Sequence, residues 1–168
     1  MRLKTLLTIS MSMFVMCIFA QNEKPDREAF TLKLPVDGIQ FYEQKLNKTP
    51  YFVHEKTLQL YPGEKIWIEV ETKGAEITSM KVVQKNLNPK KTISVELTQT
   101  TKNRKNEFMT LTVENPFDKA LEYKAMMFIV GQDKWINTHV YPVRAKIAGI
   151  EMWSDVIITI VLSDWKFN

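Results

Sequence analysis

The chain has 168 residues, with 23 Lys and Arg against 19 Asp and Glu, two His and one Cys. This length suits one domain, and the net charge of +4 indicates no particular charged partner. A single cysteine excludes an internal disulfide framework and the common cysteine-rich zinc sites.

Residues 1–20 have the layout of a secretory signal peptide. Arg2 and Lys4 open the segment, residues 6–19 form an uncharged and mostly apolar run, and Ala20 supplies a small residue at its end. The run is too short for a membrane span. We therefore expect export to the periplasm or the cell exterior, in a Gram-negative bacterium, with no transmembrane segment once the leader is removed.

The only cysteine, Cys17, lies inside this leader. A lipoprotein anchor would need a small residue just before it, and Met16 stands there, which argues against lipidation. The remaining 148 residues carry a charge of +2 and no cysteine. They must fold on their own core, which this length permits.

After the leader, residues 21–28 are polar and predict a flexible lead-in to one domain over residues 29–168. Alternating apolar residues then predict a strand at 30–34 and a turn at 36–38. Residues 39–46 allow either a short strand or one helical turn. A short strand is expected at 51–54.

The second half continues the same alternation. Pro62 and Gly63 predict a turn before a clear strand at 66–70. A break in alternation predicts a bulge near Thr78 and Ser79. Further strands are expected at 92–99, 109–113 and 156–162, and a hairpin around Gly131 at 121–130 and 135–141. Eight or nine strands predict an all-β, two-sheet antiparallel sandwich.

Two segments carry a resemblance at the level of the fold. Leu58, Leu60, Pro62, Gly63 and Glu64, followed by an alternating strand, resemble the entry strand of bacterial immunoglobulin-like domains. Residues 111–116, a turn and then Leu121 and Tyr123 resemble the matching hairpin of those domains and of pilus-chaperone and major-sperm-protein sandwiches. The resemblance implies an immunoglobulin-like sandwich and carries no active site.

Sequence motifs for catalysis are missing from the chain. His54 and His139 stand alone, and no phosphate-binding loop, dinucleotide-binding glycine pattern or nucleophile elbow occurs. Basic residues are dense over 81–105, but they flank a strand and lie roughly 26 Å apart at opposite ends. We therefore expect no enzyme, no cofactor, no metal site and no nucleic-acid partner.

The hairpin around Gly131 gives the best functional clue. If Val130 faces Trp135, then Phe128, Trp135, His139 and Tyr141 share one face, while Ala125, Met127, Ile129, Ile136 and Val140 share the other. Both faces are apolar, although one suffices for a core. We expect residues 145–153 to fold over the aromatic face, and the alternative is that this face is an exposed docking surface.

Trp67 is a second candidate for binding. It points away from the apolar face of its strand, and an exposed tryptophan on a sheet can stack on a sugar ring. The candidate binding residues are therefore Trp135, Tyr141, Phe128, His139 and Trp67. We interpret the protein as a non-enzymatic module that binds another protein. The alternatives are a carbohydrate-binding module, a small periplasmic hydrolase and a structural subunit of a surface assembly.

Overall fold

The computed structural model describes residues 22–168, so the predicted leader and Cys17 lie outside the described residues. The described chain is all-β, and its sheets are antiparallel throughout. Fourteen strands occur there, rather than the eight or nine predicted. Two of them, β1 and β4, have only two residues each, which is too short for an alternation pattern to reveal.

One five-stranded sheet, called sheet I, is built mainly from the middle of the chain. Its spatial order is β13 (Ala148–Trp153), β10 (Lys105–Glu114), β9 (Thr92–Lys102), β7 (Lys65–Lys73) and β8 (Glu76–Val83). On β8, Thr78 is an extra residue, because the register shifts between Glu71 and Thr72 on β7. The predicted bulge is therefore confirmed.

The second five-stranded sheet, called sheet II, collects strands from both halves of the described chain. Its spatial order is β12 (Ile136–Thr138), β11 (Leu121–Ile129), β14 (Ile157–Phe167), β6 (Thr57–Leu60) and β5 (Phe52–His54). The predicted turn at Pro62 and Gly63 leads from β6 in sheet II to β7 in sheet I. Gly63 has a φ of 92°, in the left-handed region where a side chain would be strained.

The two sheets pack face to face around one core, which gives a β-sandwich-like arrangement. Side chains with no solvent exposure come from both sheets: Ile68, Ile93, Val95, Leu97, Leu111 and Val113 from sheet I, and Leu58, Leu60, Leu121, Ile160 and Leu162 from sheet II. These are the apolar positions of the alternating runs. Their burial supplies the hydrophobic stabilisation that a fold without disulfides needs.

A two-stranded hairpin forms a third layer over one end of sheet II. It consists of β2 (Phe30–Pro35) and β3 (Phe41–Leu46), so the ambiguous residues 39–46 contain a strand. Leu32 and Leu34 are each 3% exposed and pack in a second core with Tyr61, Val156 and Ile158. The outer face of sheet II is therefore partly covered.

The segment predicted as a flexible lead-in is hydrogen-bonded to the body of the protein. β1 (Asp26–Arg27) pairs with β4 (Thr49–Pro50), and Glu23 bridges to Val83 on the edge of sheet I. Lys24 donates its backbone N–H to the carbonyl oxygen of Val82 at 2.8 Å. Polar composition alone did not indicate this pairing, because its partners are distant in sequence.

Candidate functional site

The hairpin around Gly131 forms with a register two residues away from the predicted one. Met126 of β11 pairs with Asn137 of β12, whereas the prediction placed His139 opposite Met126. Side chains alternate with a period of two, so an even shift leaves the paired residues of β11 and β12 on their predicted faces. β12 also ends at Thr138, which makes it shorter than the predicted strand at 135–141.

The aromatic face comprises Met126, Phe128, Trp135, His139 and Tyr141. The rings of Phe128 and Trp135 lie 5.6 Å apart between centroids, tilted by 47°. Trp135 is 41% exposed and Met126 is 37% exposed, while Phe128 is half-buried. His139 meets Tyr141 edge-on at 4.9 Å, and Tyr141 is 70% exposed. The structure therefore places four of the five predicted site residues on this hairpin and the loop after it.

The prediction that residues 145–153 cover this face is wrong. Ala148–Trp153 forms β13 at the edge of sheet I, where its backbone pairs with β10. The apolar alternation in this segment belongs to a strand rather than to a folded-over loop. The hairpin β2–β3 covers part of the face instead, because Phe128 and Val130 pack against the second core. Trp135, Met126 and Tyr141 stay exposed.

Hydrogen bonds between the edges of the two sheets hold the loop that carries His139 and Tyr141. Trp153 donates its indole N–H to Thr138 Oγ1 at 2.9 Å, and the backbone N–H of Tyr141 donates to Glu151 Oε1 at 2.7 Å. Burial, with Glu151 as a smaller cause, raises the pKa of Tyr123. Glu151 therefore holds the loop that carries Tyr141 in place. Its position after Ile150 in an alternating segment was the only sequence signal for this role.

Ion pairs border the aromatic face along sheet II. Lys124 Nζ lies 2.8 Å from Asp164, and Lys166 Nζ lies 2.7 Å from Glu122. The hydrogen bond to Asp164 raises the pKa of Lys124. A shallow groove of about 290 Å³ runs between this border and the loop, lined by Tyr123, Lys124, Ala125, Asn137, Thr138, His139 and Val140. The apolar face therefore has a polar rim whose charges are matched.

Trp67 lies apart from the other candidate residues. Its neighbours Ile66 and Ile68 point into the core, so Trp67 is on the outer face of sheet I, while the aromatic face is on the outer side of sheet II. Trp67 is half-buried and stands between Val83 and Ser94 on the adjacent strands. The structure does not bring it together with Trp135.

Histidine and acidic side chains are scattered over residues 22–168 rather than gathered in one site. His54 is exposed and lies 4.0 Å from Glu55, and the His139 ring packs at 87° to the Tyr141 ring. Across residues 22–168, no three His, Cys, Asp or Glu side chains cluster as a metal site would require. The same residues contain no helix of the length and apolarity needed to span a membrane. Comparison of the chain with protein-family models, curated proteins and solved structures gives no significant match.

Proposed function

We propose that this protein is an exported, non-enzymatic binding module that captures a protein partner on its aromatic face. The observation that carries the proposal is the exposure of both Trp135 and Met126 on one hairpin, whose opposite face already supplies the core. Tryptophan and tyrosine side chains that become fully buried in the complex supply much of the binding energy of many protein interfaces. Trp135 and Tyr141 are the two anchors.

The ring geometry favours a protein partner over a glycan. A sugar stacks best on an open ring face, whereas Trp135 is tilted by 47° against Phe128 and Tyr141 meets His139 edge-on. Met126 adds a flexible apolar side chain, which is common at protein-binding surfaces. The paired charges around Lys124 and Lys166 match the polar rim of a protein interface.

We further propose that the fold is immunoglobulin-like and that the protein works outside the inner membrane. Two antiparallel sheets with a shared core, and the Pro62 and Gly63 turn that joins them, support the fold assignment. The leader pattern over residues 1–20 supports export. Cell fractionation, with N-terminal sequencing of the exported product, tests whether the protein is exported.

Trp135→Ala tests the binding role. We expect a partner isolated by crosslinking from the exported proteome, then purified, to bind this variant at least tenfold more weakly, which corresponds to about 1.4 kcal/mol. The thermal midpoint should change little, because Trp135 is 41% exposed. Trp67→Ala, on the opposite side of the protein, is the matched control and should leave affinity unchanged.

Two outcomes would contradict the proposal. A large fall in thermal midpoint for Trp135→Ala would make this residue part of the core. Binding of the native protein to a purified glycan, lost in Trp135→Ala and without any protein partner, would replace the proposal with a carbohydrate-binding role.

A further inference from the structure

The four outer edges of the two sheets differ in how they are protected. The edge of sheet I at β8 is occupied by the chain itself, because Gln84 donates its backbone N–H to Asn22 O at 2.7 Å and Lys24 donates to Val82 O. The edges of sheet II at β5 and β12 have three residues each. The remaining edge, β13, has six residues, and among the described residues its backbone pairs only with β10.

β13 lacks two of the devices that usually prevent edge strands from pairing, since its sequence Ala148–Trp153 contains no lysine and no proline. Its one charged side chain, Glu151, lies on the inner side and accepts the backbone N–H of Tyr141. Ile150 is 62% exposed and Met152 is 54% exposed, and both point to the outer face of sheet I with Ala148. An open, apolar strand edge is a template for another strand.

We propose that β13 pairs with β13 of a second copy of this chain, antiparallel, about a two-fold axis at Ile150. In this register Ile150 faces Ile150 of the second copy, and Met152 faces Ala148. On the inner side Glu151 faces Gly149, so no like charges oppose each other. Every pair on the outer face is then apolar, which is the arrangement that stabilises neighbouring strands.

The charges at the ends of β13 match this arrangement. Lys146 precedes the strand and Asp155 follows it, and both side chains are exposed, with Lys146 Nζ already 3.1 Å from Asp118 Oδ1 of its own chain. Antiparallel pairing about Ile150 brings the Lys146 end of each strand beside the Asp155 end of the other. A two-fold axis at Glu151 would instead set two carboxylates opposite each other, and repulsion disfavours that register.

The contact is one strand wide and smaller than the roughly 1,200–2,000 Å² of a standard stable interface. We therefore expect a dimer that dissociates on dilution. The pairing would extend sheet I across both copies, at the strand whose Glu151 and Trp153 also hold the loop with His139 and Tyr141. It is tested apart from the proposed binding function, since oligomeric state and partner affinity are measured separately.

Cysteine crosslinking tests the register directly in the full chain carrying Cys17→Ser. Facing residues of paired strands have Cα atoms about 4.5–5.5 Å apart, within disulfide reach. We expect Ile150→Cys to form a disulfide-linked dimer on mild oxidation. Ala148→Cys and Met152→Cys should not crosslink alone, because like positions would be roughly 13 Å apart, but a mixture of these two variants should.

Sedimentation at several concentrations tests the association itself. We expect the native chain to show a concentration-dependent dimer that Ile150→Lys abolishes, with the thermal midpoint of the diluted protein unchanged. Ile39→Lys replaces another exposed isoleucine, 87% exposed at the tip of the β2–β3 hairpin, and should leave the dimer intact. A native chain that stays monomeric, a dimer that survives Ile150→Lys, or crosslinking of Ala148→Cys alone would each overturn the proposal.

Discussion

Arg27 donates its Nε proton to Glu64 Oε1 at 2.9 Å, and the two side chains are 2% and 13% exposed. The remaining guanidinium protons reach Thr49 Oγ1 at 3.1 Å, the carbonyl oxygens of Pro50 and Gln59 at 3.0 and 2.6 Å, and Glu64 Oε2 at 3.4 Å. This cation therefore ties the N-terminal segment to β4, β6 and the turn that joins the two sheets.

Removing Arg27 should destabilise the fold strongly. The guanidinium also lies 4.6 Å from the Tyr51 ring centroid and 5.0 Å from that of Tyr61, so its removal loses two cation–π contacts as well. We expect Arg27→Met to lower the free energy of unfolding by about 3–5 kcal/mol, because it leaves the Glu64 carboxylate without its partner. Urea denaturation measures this change.

Two further variants sharpen the Arg27 experiment. Lys48→Met removes an exposed cation near Asp26 and Glu28 and should cost no more than about 1 kcal/mol. Arg27→Lys keeps the charge but loses the planar fork, so we expect most of the loss to remain. An Arg27→Met variant as stable as the Lys48→Met variant would refute the anchoring role.

The hydrogen-bond partners of Arg27 could not be predicted from the sequence. Its partners lie 22–37 residues away, and nothing in the polar pattern of residues 21–28 indicates them. The strands were predictable because alternation is local, and the bulge at Thr78 was predictable because one residue breaks that alternation. A binding role for the aromatic face stays a prediction.

The same distinction explains the two errors at the candidate site. The register of the Gly131 hairpin depends on the loop geometry, and an even shift leaves the alternation unchanged. Residues 145–153 are apolar enough to serve as a cover, but their backbone finds β10 as a partner. Long-range strand pairing decides which of two apolar segments covers a face. Here the β2–β3 hairpin covers part of the aromatic face.

Asn115 should be a second structural anchor, in the loop between β10 and β11. Its side chain is 2% exposed, and Nδ2 donates to the carbonyl oxygens of Lys119, Val143 and Arg144 at 2.8, 3.0 and 3.1 Å. Asn115→Ala removes this donor from the carbonyl oxygens of Lys119 and Arg144, while that of Val143 keeps the backbone N–H of Leu121. We therefore expect a loss of at least about 2 kcal/mol in the free energy of unfolding. A chemical denaturation curve with an unchanged midpoint would contradict this role.

Asp37 should make the tip of the β2–β3 hairpin sensitive to acid. Its Oδ1 accepts the backbone N–H groups of Gln40 and Ile39 at 2.7 and 3.0 Å, and these bonds lower the pKa of Asp37 below its ordinary value of 3.8. A carboxyl whose pKa is lowered in the folded state stabilises the fold at pH values above its ordinary pKa. This stabilisation is lost as the pH falls through the folded-state pKa.

Asp37→Asn separates charge from turn geometry, because the amide oxygen can still accept both bonds. We expect the variant to lose the part of the acid dependence of the thermal midpoint that appears below about pH 4. NMR titration of the native Asp37 carboxyl should give a midpoint below its ordinary value. Equal acid dependence in the native protein and in the variant would show that this carboxyl does not contribute.

Gly149 on β13 should tolerate no side chain, because a Cβ there would lie 2.6 Å from Cγ2 of Val143. Val143 is 2% exposed, and its backbone exchanges two hydrogen bonds of 2.9 Å with Leu121, so it cannot move away. We expect Gly149→Ala to cost about 1–3 kcal/mol by overpacking. Val143→Ala makes room for the new methyl group, so the double variant should lose less than the sum of the two single variants, by about 1 kcal/mol or more. Thermal and urea unfolding at dilute concentration measure this coupling, and strictly additive losses would show that Gly149 and Val143 do not constrain each other.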